Sequence, residues 1–539
     1  MNETYSCESS PLLNGILKKE LGFQGYVMSD FFATHSGVNS ANGGLDMNIP
    51  GDIDNAAIGT GNSYFGSRLV EAVTNGSVSM SRMDDMVTKT IIPYFLLGQD
   101  KDFPTVDPSS ADILKATFGI PLGYEEPARD VRANHASLIR KLGAAGTVLL
   151  KNLNSTLPLQ SPRNIGVFGN DAPGLTGGLT FLDSLPPFGF EFGILDIGGG
   201  SGSGRHTPIV SPLEAIKARA KLTGARVQYI TDNTVLAANQ FQSIYPTPDV
   251  CLVFLKTFSS EGKDRLSFEL DWNSTLVVNN VAKHCPNTVV ITHSAGVNTL
   301  PWSSNPNVTA ILTAHYPGEE TGDSIVDILR GDVNPSGKLP YTIPATEADY
   351  YVPIINITNA TSPNAWQSNF TDGLFIDYRH FDAKNITPLC EFGYGLSYTN
   401  FSIASPLSVK TLISKPSELP DVSLPIVPGG NPDLWTELLS LSTAVSNIGR
   451  VEGAAVIQLY VSLSQDSVPL ETPTKVLRGF QKINLKPGEK KDLEFSITRR
   501  DISFWDTTVQ QWRLPKGKII FRVGFSSRDF KQTAEVQLQ

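Results

Sequence analysis

The sequence predicts a multidomain chain, α/β first and all-β afterwards, and two patterns carry that expectation. Between Ile165 and Arg330, short apolar runs alternate with segments whose apolar residues fall at helical spacing. Beyond residue 403, apolar residues recur at every second position instead. The apolar runs are Ile165–Phe168, Val227–Ile230, Val250–Leu255, Val289–Thr292 and Val308–Leu312, with helices expected at Pro212–Lys221, Thr275–His284 and Glu320–Arg330. Near-continuous apolar strands separated by helices indicate a mostly parallel sheet covered on both faces, an α/β sandwich.

The last part alternates through Leu439, Leu441, Thr443 and Val445, then Val456 to Val461, then Leu493, Phe495 and Ile497, then Ile519, Phe521, Val523 and Phe525. Period-two patterning divided by turns such as Lys486-Pro487-Gly488-Glu489 predicts an antiparallel β-sandwich. The first residues differ again. Leu12, Leu13, Ile16, Leu17 and Leu21 predict a helix closed by Gly22, followed by a strand over Gly25–Asp30 and a second over Leu45–Ile49. Helices are expected over Ser67–Val73 and after Ser81, where Ser81 would cap and Asp84 would occupy the third helical position. The resulting division is 1–98 as the tail of an α/β domain, 99–130 as linker, 131–345 as the α/β sandwich, 346–402 as a connection over the surface, and 403–539 as the β-sandwich.

A net charge of −10 argues against nucleic acid or an anionic membrane surface as partner. No run of 18 apolar residues is present to span a bilayer. The cysteines number four, too few for a disulfide framework, and none forms a C-x-x-C pair. Cys251 and Cys285 either pair or remain buried thiols; Cys7 and Cys390 have no evident partner. Asn-x-Ser/Thr sequons at Asn2, Asn75, Asn154, Asn273, Asn307, Asn356, Asn359, Asn369, Asn385 and Asn400 favour a secreted glycoprotein. The N-terminus lacks the basic and apolar regions of a signal peptide, so the chain is expected to start inside a longer protein.

Two carboxylates attract attention. Asp30 ends an apolar run and precedes Phe31, Phe32 and the loop to Gly37, the position from which a barrel strand delivers a catalytic acid. An Asp capping the next helix fits the spacing equally well. Glu261 follows the run Val250–Leu255 within Ser259-Ser260-Glu261-Gly262-Lys263-Asp264-Arg265. By itself it reads as a solvated loop acid, but paired carboxylates from two elements are what glycoside hydrolysis requires. His35 follows Asp30 closely; it either lines the same pocket or makes a structural hydrogen bond. Gly198-Gly199-Gly200-Ser201-Gly202-Ser203-Gly204-Arg205 fails both phosphate-loop spacings, no G-x-S-x-G elbow occurs, and no H-x-x-x-H pair suggests zinc. No cofactor and no metal are expected.

The stretch "LLNGILKKELGFQGYVMSDFFATHSGVNSANGGLDMNIPGD" from Leu12 to Asp52 closely resembles the nucleophile region of fungal glycoside hydrolase family 3 β-glucosidases. Ala144–Asn152, Ser259–Arg265 and His315–Pro340 are similar to the family's second domain. Phe392–Thr399 precedes, and Leu477–Glu489 lies within, what looks like its fibronectin-III-like domain. The resemblance implies a C-terminal remnant of a (β/α)8 barrel, an α/β sandwich and a fibronectin-III-like sandwich. It implies a retaining exo-β-glycosidase that acts on cello-oligosaccharides or aryl β-glucosides, with Asp30 as nucleophile and Glu261 as general acid/base. Phe31, where the family usually has Trp, and His35 would contact substrate. The family's other glycone-gripping groups lie on barrel strands with no counterpart here, and a whole barrel takes roughly 250 residues. The chain is therefore expected to be inactive. The alternatives are a non-catalytic carbohydrate-binding product or, within the family, a β-xylosidase.

Overall fold

The computed structural model describes residues 4–54, 57, 60–103, 130, 132–175, 193–200, 208–261, 265–350 and 370–538. The expected linker over 99–130 lies almost wholly outside the described residues. The chain forms two compact units, one of residues 1–131, 417–436 and 498–514, the other of 132–416, 437–497 and 515–539.

In the second unit a six-stranded sheet runs in the order β1-β6-β5-β4-β2-β3, with β1 Val148–Asn152, β2 Asn164–Phe168, β3 Arg226–Ile230, β4 Val250–Thr257, β5 Thr288–Ser294 and β6 Val308–Thr313. All adjacent pairs are parallel except β1 with β6. Each of the five parallel strands was legible as an apolar run. Strands β2, β4, β5 and β6 are buried at every residue, because helices cover both faces. Leu252, Phe254, Val289, Ile291 and Leu312 point to the face covered by Pro212–Thr223 and Thr321–Arg330. Cys251, Val253, Leu255, Val290 and Ile311 point to the face covered by Asn233–Ala237 and Ser274–His284. Ser211 begins the first of these helices with a reciprocal capping box to Glu214.

Two elements had no sequence signal strong enough to predict them. Strand β1 is an antiparallel edge with a bulge between Leu149 and Lys151. The helix His135–Gly146 is tied to Thr321–Arg330 by the bidentate pair from Arg140 to Asp327, at 2.7 Å on both arms. Cys251 and Cys285 are bonded, joining the start of β4 to the end of the helix that packs on it. Cys390 is buried and its thiol is pushed up to about 12, chiefly by desolvation, so it is inert.

The β-sandwich has one sheet ordered β11-β10-β15-β16, from Val476–Leu485, Gly453–Ser462, Lys518–Gly524 and Phe530–Gln537. The other joins β12 Lys490–Thr498, β9 Glu437–Asn447 and β7 Phe401–Ser402, and β8 Ser408–Thr411 also pairs with β9; β13 Phe504–Asp506 and β14 Gln511–Arg513 pair separately within the first unit. The expected turn at 486–489 connects β11 to β12 with Gly488 at φ 78°, a left-handed conformation that suits glycine. The segment 346–402 is more than a surface connection. Its described part carries the helical turn Tyr378–Ala383, with Tyr378, His380 and Phe381 buried.

The first unit departs furthest from expectation. The helix comes out as a π-helix over Pro11–Glu20, and Ser67–Thr74 and Met80–Leu96 are α-helices. The cap of Met80–Leu96 is Ser79, whose hydroxyl accepts from the Arg82 amide at 3.1 Å. That register makes Arg82, not Asp84, the third residue, so the expected cap at Ser81 is wrong by two positions. The strands expected at Gly25–Asp30 and Leu45–Ile49 reduce to one parallel bridge, Met28 to Met47. Asp46 is the reason. Its carboxylate takes the Val27 amide at 2.8 Å, while the Asp46 and Met47 amides both donate to the Val27 carbonyl, and a regular ladder cannot continue through that arrangement.

Phe254 is wholly buried in the middle of the central strand. Phe254→Ala is expected to destabilise the second unit by about 3–5 kcal/mol through lost transfer energy and a residual cavity. Urea denaturation followed by circular dichroism measures it, and a change below about 1 kcal/mol would contradict the packing described.

Candidate active-site residues

Asp30 belongs to the first unit and Glu261 to the second. Asp30 is exposed, and its carboxylate accepts the Phe31 amide at 2.7 Å. The turn after it is closed by the Ala33 amide donating to the Asp30 carbonyl and the Phe32 amide to the Ile49 carbonyl, both at 3.1 Å. Phe32 takes φ 56°, an unusual conformation for an aromatic residue. It turns the chain so that Phe31 is left with 57% of its surface open, its ring edge-on to Phe32. His35 is exposed and stacks on Tyr5 with ring centroids 3.8 Å apart. Cys7 is half-buried, and its thiol is raised first by desolvation and then by the Glu8 and Asp30 carboxylates.

What fixes this turn is the buried carboxylate of Asp46. Besides the Val27 amide it receives Lys18 at 2.8 Å and Arg82 at 2.7 Å. Arg82 also donates to the carbonyls of Ala41 and Leu45 and pairs with Asp85 at 2.6 Å. Burial pulls the Lys18 ammonium below its ordinary value, and the bond to Asp46 opposes that pull. Two helices are thus clamped to the segment carrying Asp30. The signal in the sequence was a charge between Leu45 and Met47, where a strand would bury an apolar residue.

Glu261 stands beyond the C-terminal end of β4, outside the carboxyl edge of the parallel sheet, where open α/β sheets place ligands. The strand delivers it through residues fixed from below. Lys256 is fully buried, donates to the Asn170 carbonyl at 3.2 Å and to the Gly193 carbonyl, and lies 5.1 Å from the Trp272 ring centre. The Phe258 amide donates to Asp271 at 2.8 Å, and Tyr316, its phenol pushed up to about 12 mainly by burial, donates to the Thr257 carbonyl at 3.0 Å.

Residues 199–200 then run beside 259–261. Gly199 and Ser260 form a parallel bridge, and the Gly199 amide donates to the Ser259 carbonyl at 2.9 Å. Gly200, at φ 105°, lies directly against Glu261: a Cβ there would overlap the Glu261 Cβ and come within 3.0 Å of its Oε2. The glycine run therefore makes room for the Glu261 side chain. Nothing in the run itself disclosed this, because its pairing partner lies some sixty residues away. Arg265, on the same loop, donates to the Val297 carbonyl at 2.8 Å, and its buried Nε and Nη2 have no hydrogen-bond partner among the described residues. Burial lowers the pKa of this guanidinium, which Asp271 opposes.

A family model for the glycosyl hydrolase family 3 C-terminal domain matches residues 147–398, and one for the fibronectin type III-like domain matches 455–527. A β-glucosidase from Chaetomella raphigera of known structure is 35% identical, superimposes with a TM-score of 0.86 and covers 100% of this chain and 71% of its own. The chain belongs to glycoside hydrolase family 3. A second family structure, the β-D-glucoside glucohydrolase of Trichoderma reesei, is also 35% identical with a TM-score of 0.84 over 100% of this chain and 71% of its own. Probable β-glucosidase G of Aspergillus oryzae is 50% identical over 99% of this chain, which spans 66% of that relative's length. Among the described residues of this family member, no helix is long and apolar enough to cross a membrane.

Asp46→Asn is expected to cost about 3–5 kcal/mol, because the half-buried Lys18 and Arg82 lose the fully buried carboxylate between them and keep only the more exposed Asp85. Denaturation should show the loss, with faster hydrogen exchange over residues 27–33. Gly200→Ala should leave the sheet intact and raise exchange over 257–261, since both φ and the Glu261 contact oppose a side chain. Unchanged exchange there would contradict the cushioning role of Gly200.

Proposed function

We propose that this chain is the part of a secreted, retaining exo-β-glucosidase that carries both catalytic carboxylates, Asp30 as nucleophile and Glu261 as general acid/base. The observation that supports it most is the superposition of the full chain on β-glucosidases of known structure, and the chain itself carries Ser29-Asp30 and Ser260-Glu261 in the two segments where the carboxylates are expected. The substrates proposed are terminal non-reducing β-D-glucosyl residues of cello-oligosaccharides and aryl β-glucosides.

The chemistry asks different things of the two groups. Asp30 attacks the anomeric carbon as a carboxylate. Glu261 must hold a proton for the leaving oxygen and then take one from water, so its site has to favour the neutral acid more than that of Asp30 does. A separation of about 5–5.5 Å between the carboxyl groups is the geometry retention requires. The open ring of Phe31 offers a stacking face to the sugar or aglycone without an indole N–H, and His35, braced on Tyr5, lines the same approach.

The 539 residues alone are proposed to be inactive. Groups that orient the glycone in the family lie on strands without a counterpart here, and orientation contributes roughly 7–11 kcal/mol of such barriers. The chain by itself should not raise 4-nitrophenyl β-glucoside hydrolysis above background. Fused behind the remaining third of β-glucosidase G it should turn over, releasing β-glucose first by NMR, and Asp30→Asn should lower kcat at least about 1000-fold. Turnover by the chain alone that Asp30→Asn abolishes would overturn the proposed inactivity. A fusion insensitive to Asp30→Asn would overturn the assignment of the nucleophile.

A further inference from the structure

We propose that Asn400 carries an N-linked glycan whose innermost sugars fill the cavity between the α/β sheet and the β-sandwich of the second unit. The cavity holds about 430 Å³, within the size range of small-ligand sites, and Asn400 and Phe401 stand on its wall. Asn400 heads the sequon Asn400-Phe401-Ser402 and is exposed. Its backbone is fixed, the carbonyl accepting the Ile448 amide at 2.8 Å, while its side-chain amide makes no hydrogen bond among the described residues.

The other sequons show why this one is singled out. Asn307 is half-buried and already donates its amide to the Ala282 carbonyl at 2.8 Å, so its side chain is committed to the fold. Asn75 accepts the Ser77 amide at 2.9 Å. Asn400 combines exposure, an adjoining cavity and an amide that is free among the described residues, as Asn154 also does beside a cavity of about 610 Å³; what sets the Asn400 cavity apart is the Lys338 ammonium on its wall.

The walls offer what an N-acetylhexosamine can use. Lys338 reaches in with an ammonium that has three donors and gives one to the Gly395 carbonyl at 2.5 Å. Burial pushes that ammonium down to about 8, with Asp529 and Glu391 only partly opposing it, and its remaining donors are left for further acceptors. Sugar hydroxyls and the acetamide carbonyl would supply those acceptors. Glu391 accepts the Ser526 hydroxyl at 2.6 Å on one oxygen, and Asp529 pairs with Lys531 at 2.5 Å on one oxygen, which leaves each a second oxygen for a hydroxyl. Tyr394 and Phe401 add aromatic side chains to the lining, the residue type on which a pyranose stacks. Lys338 and Tyr394 follow the α/β sheet in the chain, whereas Ser526 and Asp529 come from the loop between β15 and β16. A sugar seated here would bridge the two layers.

The modification is a group transfer from a lipid-pyrophosphate-linked oligosaccharide. The Asn400 side-chain nitrogen attacks the anomeric carbon, an N–C bond replaces the C–O bond to pyrophosphate, the amide loses a proton, and the lipid pyrophosphate leaves with the electron pair.

The test is to secrete the chain from a glycosylating eukaryotic host and map its glycopeptides by mass spectrometry. Asn400 should be occupied. Peptide-N-glycosidase should release its glycan at least about 10-fold more slowly than that of exposed Asn385 in the native protein, and equally fast after denaturation. Lys338→Met should abolish the protection. Asn400→Gln and, as a variant that keeps the asparagine, Ser402→Ala should each lower the melting temperature of the second unit by about 2–4 °C. An unmodified Asn400 beside an occupied Asn385 would overturn the proposal. So would native release as fast as at Asn385, or melting unchanged in both sequon variants.

Discussion

Strand β4 is buried on both faces over its whole length, and the second unit is arranged around that fact. A strand with no wet face has to be apolar throughout, flanked by strands on both edges and covered by helices above and below. The one charged residue within it, Lys256, shows how strict the requirement is. Its ammonium is taken from water completely, so carbonyls from two other segments and an aromatic face have to replace the water. Those segments, around Asn170 and Gly193, lead into the glycine run that lies beside Glu261. The cost of burying one cation is thus offset by ordering the surroundings of a carboxylate five residues further on.

The first unit solves the inverse problem. There a buried anion, Asp46, gathers two cations and a backbone amide, and the price is a regular strand pairing. The result is an irregular, well-tied turn that presents Asp30 and the Phe31 ring to solvent. In both units the candidate catalytic group is exposed while its support is a charge with no exposure.

What the sequence disclosed follows from which forces are local. The five parallel strands were legible because burial on both faces writes itself as uninterrupted Val, Ile, Leu and Phe. The alternation of β12 and β15 was legible because one face of each is more open than the other, whereas β10 is buried at every residue from Ile457 to Ser462. Strand β1 was not, since an edge strand ending in Lys151 and Asn152 carries too short an apolar run. Gly25–Asp30 has strand-like residues but lacks an orderly partner, and no local pattern reveals a partner's geometry. At the candidate site Asp30 and Glu261 could be picked out by motif, whereas Asp46 and Gly200 depend on contacts distant in sequence. Asn307 shows the same limit from the other side: a sequon is three residues, but the bond to Ala282 is set by the fold.

The first unit draws residues 417–436 and 498–514 onto residues 1–103, as in the Gly429 amide donating to the Leu21 carbonyl at 2.9 Å. On a ribosome this ordering has a cost in time. The segment bearing Asp30 emerges several hundred residues before the pieces that complete its unit. At about 5–20 residues per second, Ile16, Leu21 and Phe23 wait for roughly half a minute or more without their final neighbours. A chain built this way depends on chaperones during synthesis, and shortening it at the C-terminus removes support from the segment that carries Asp30.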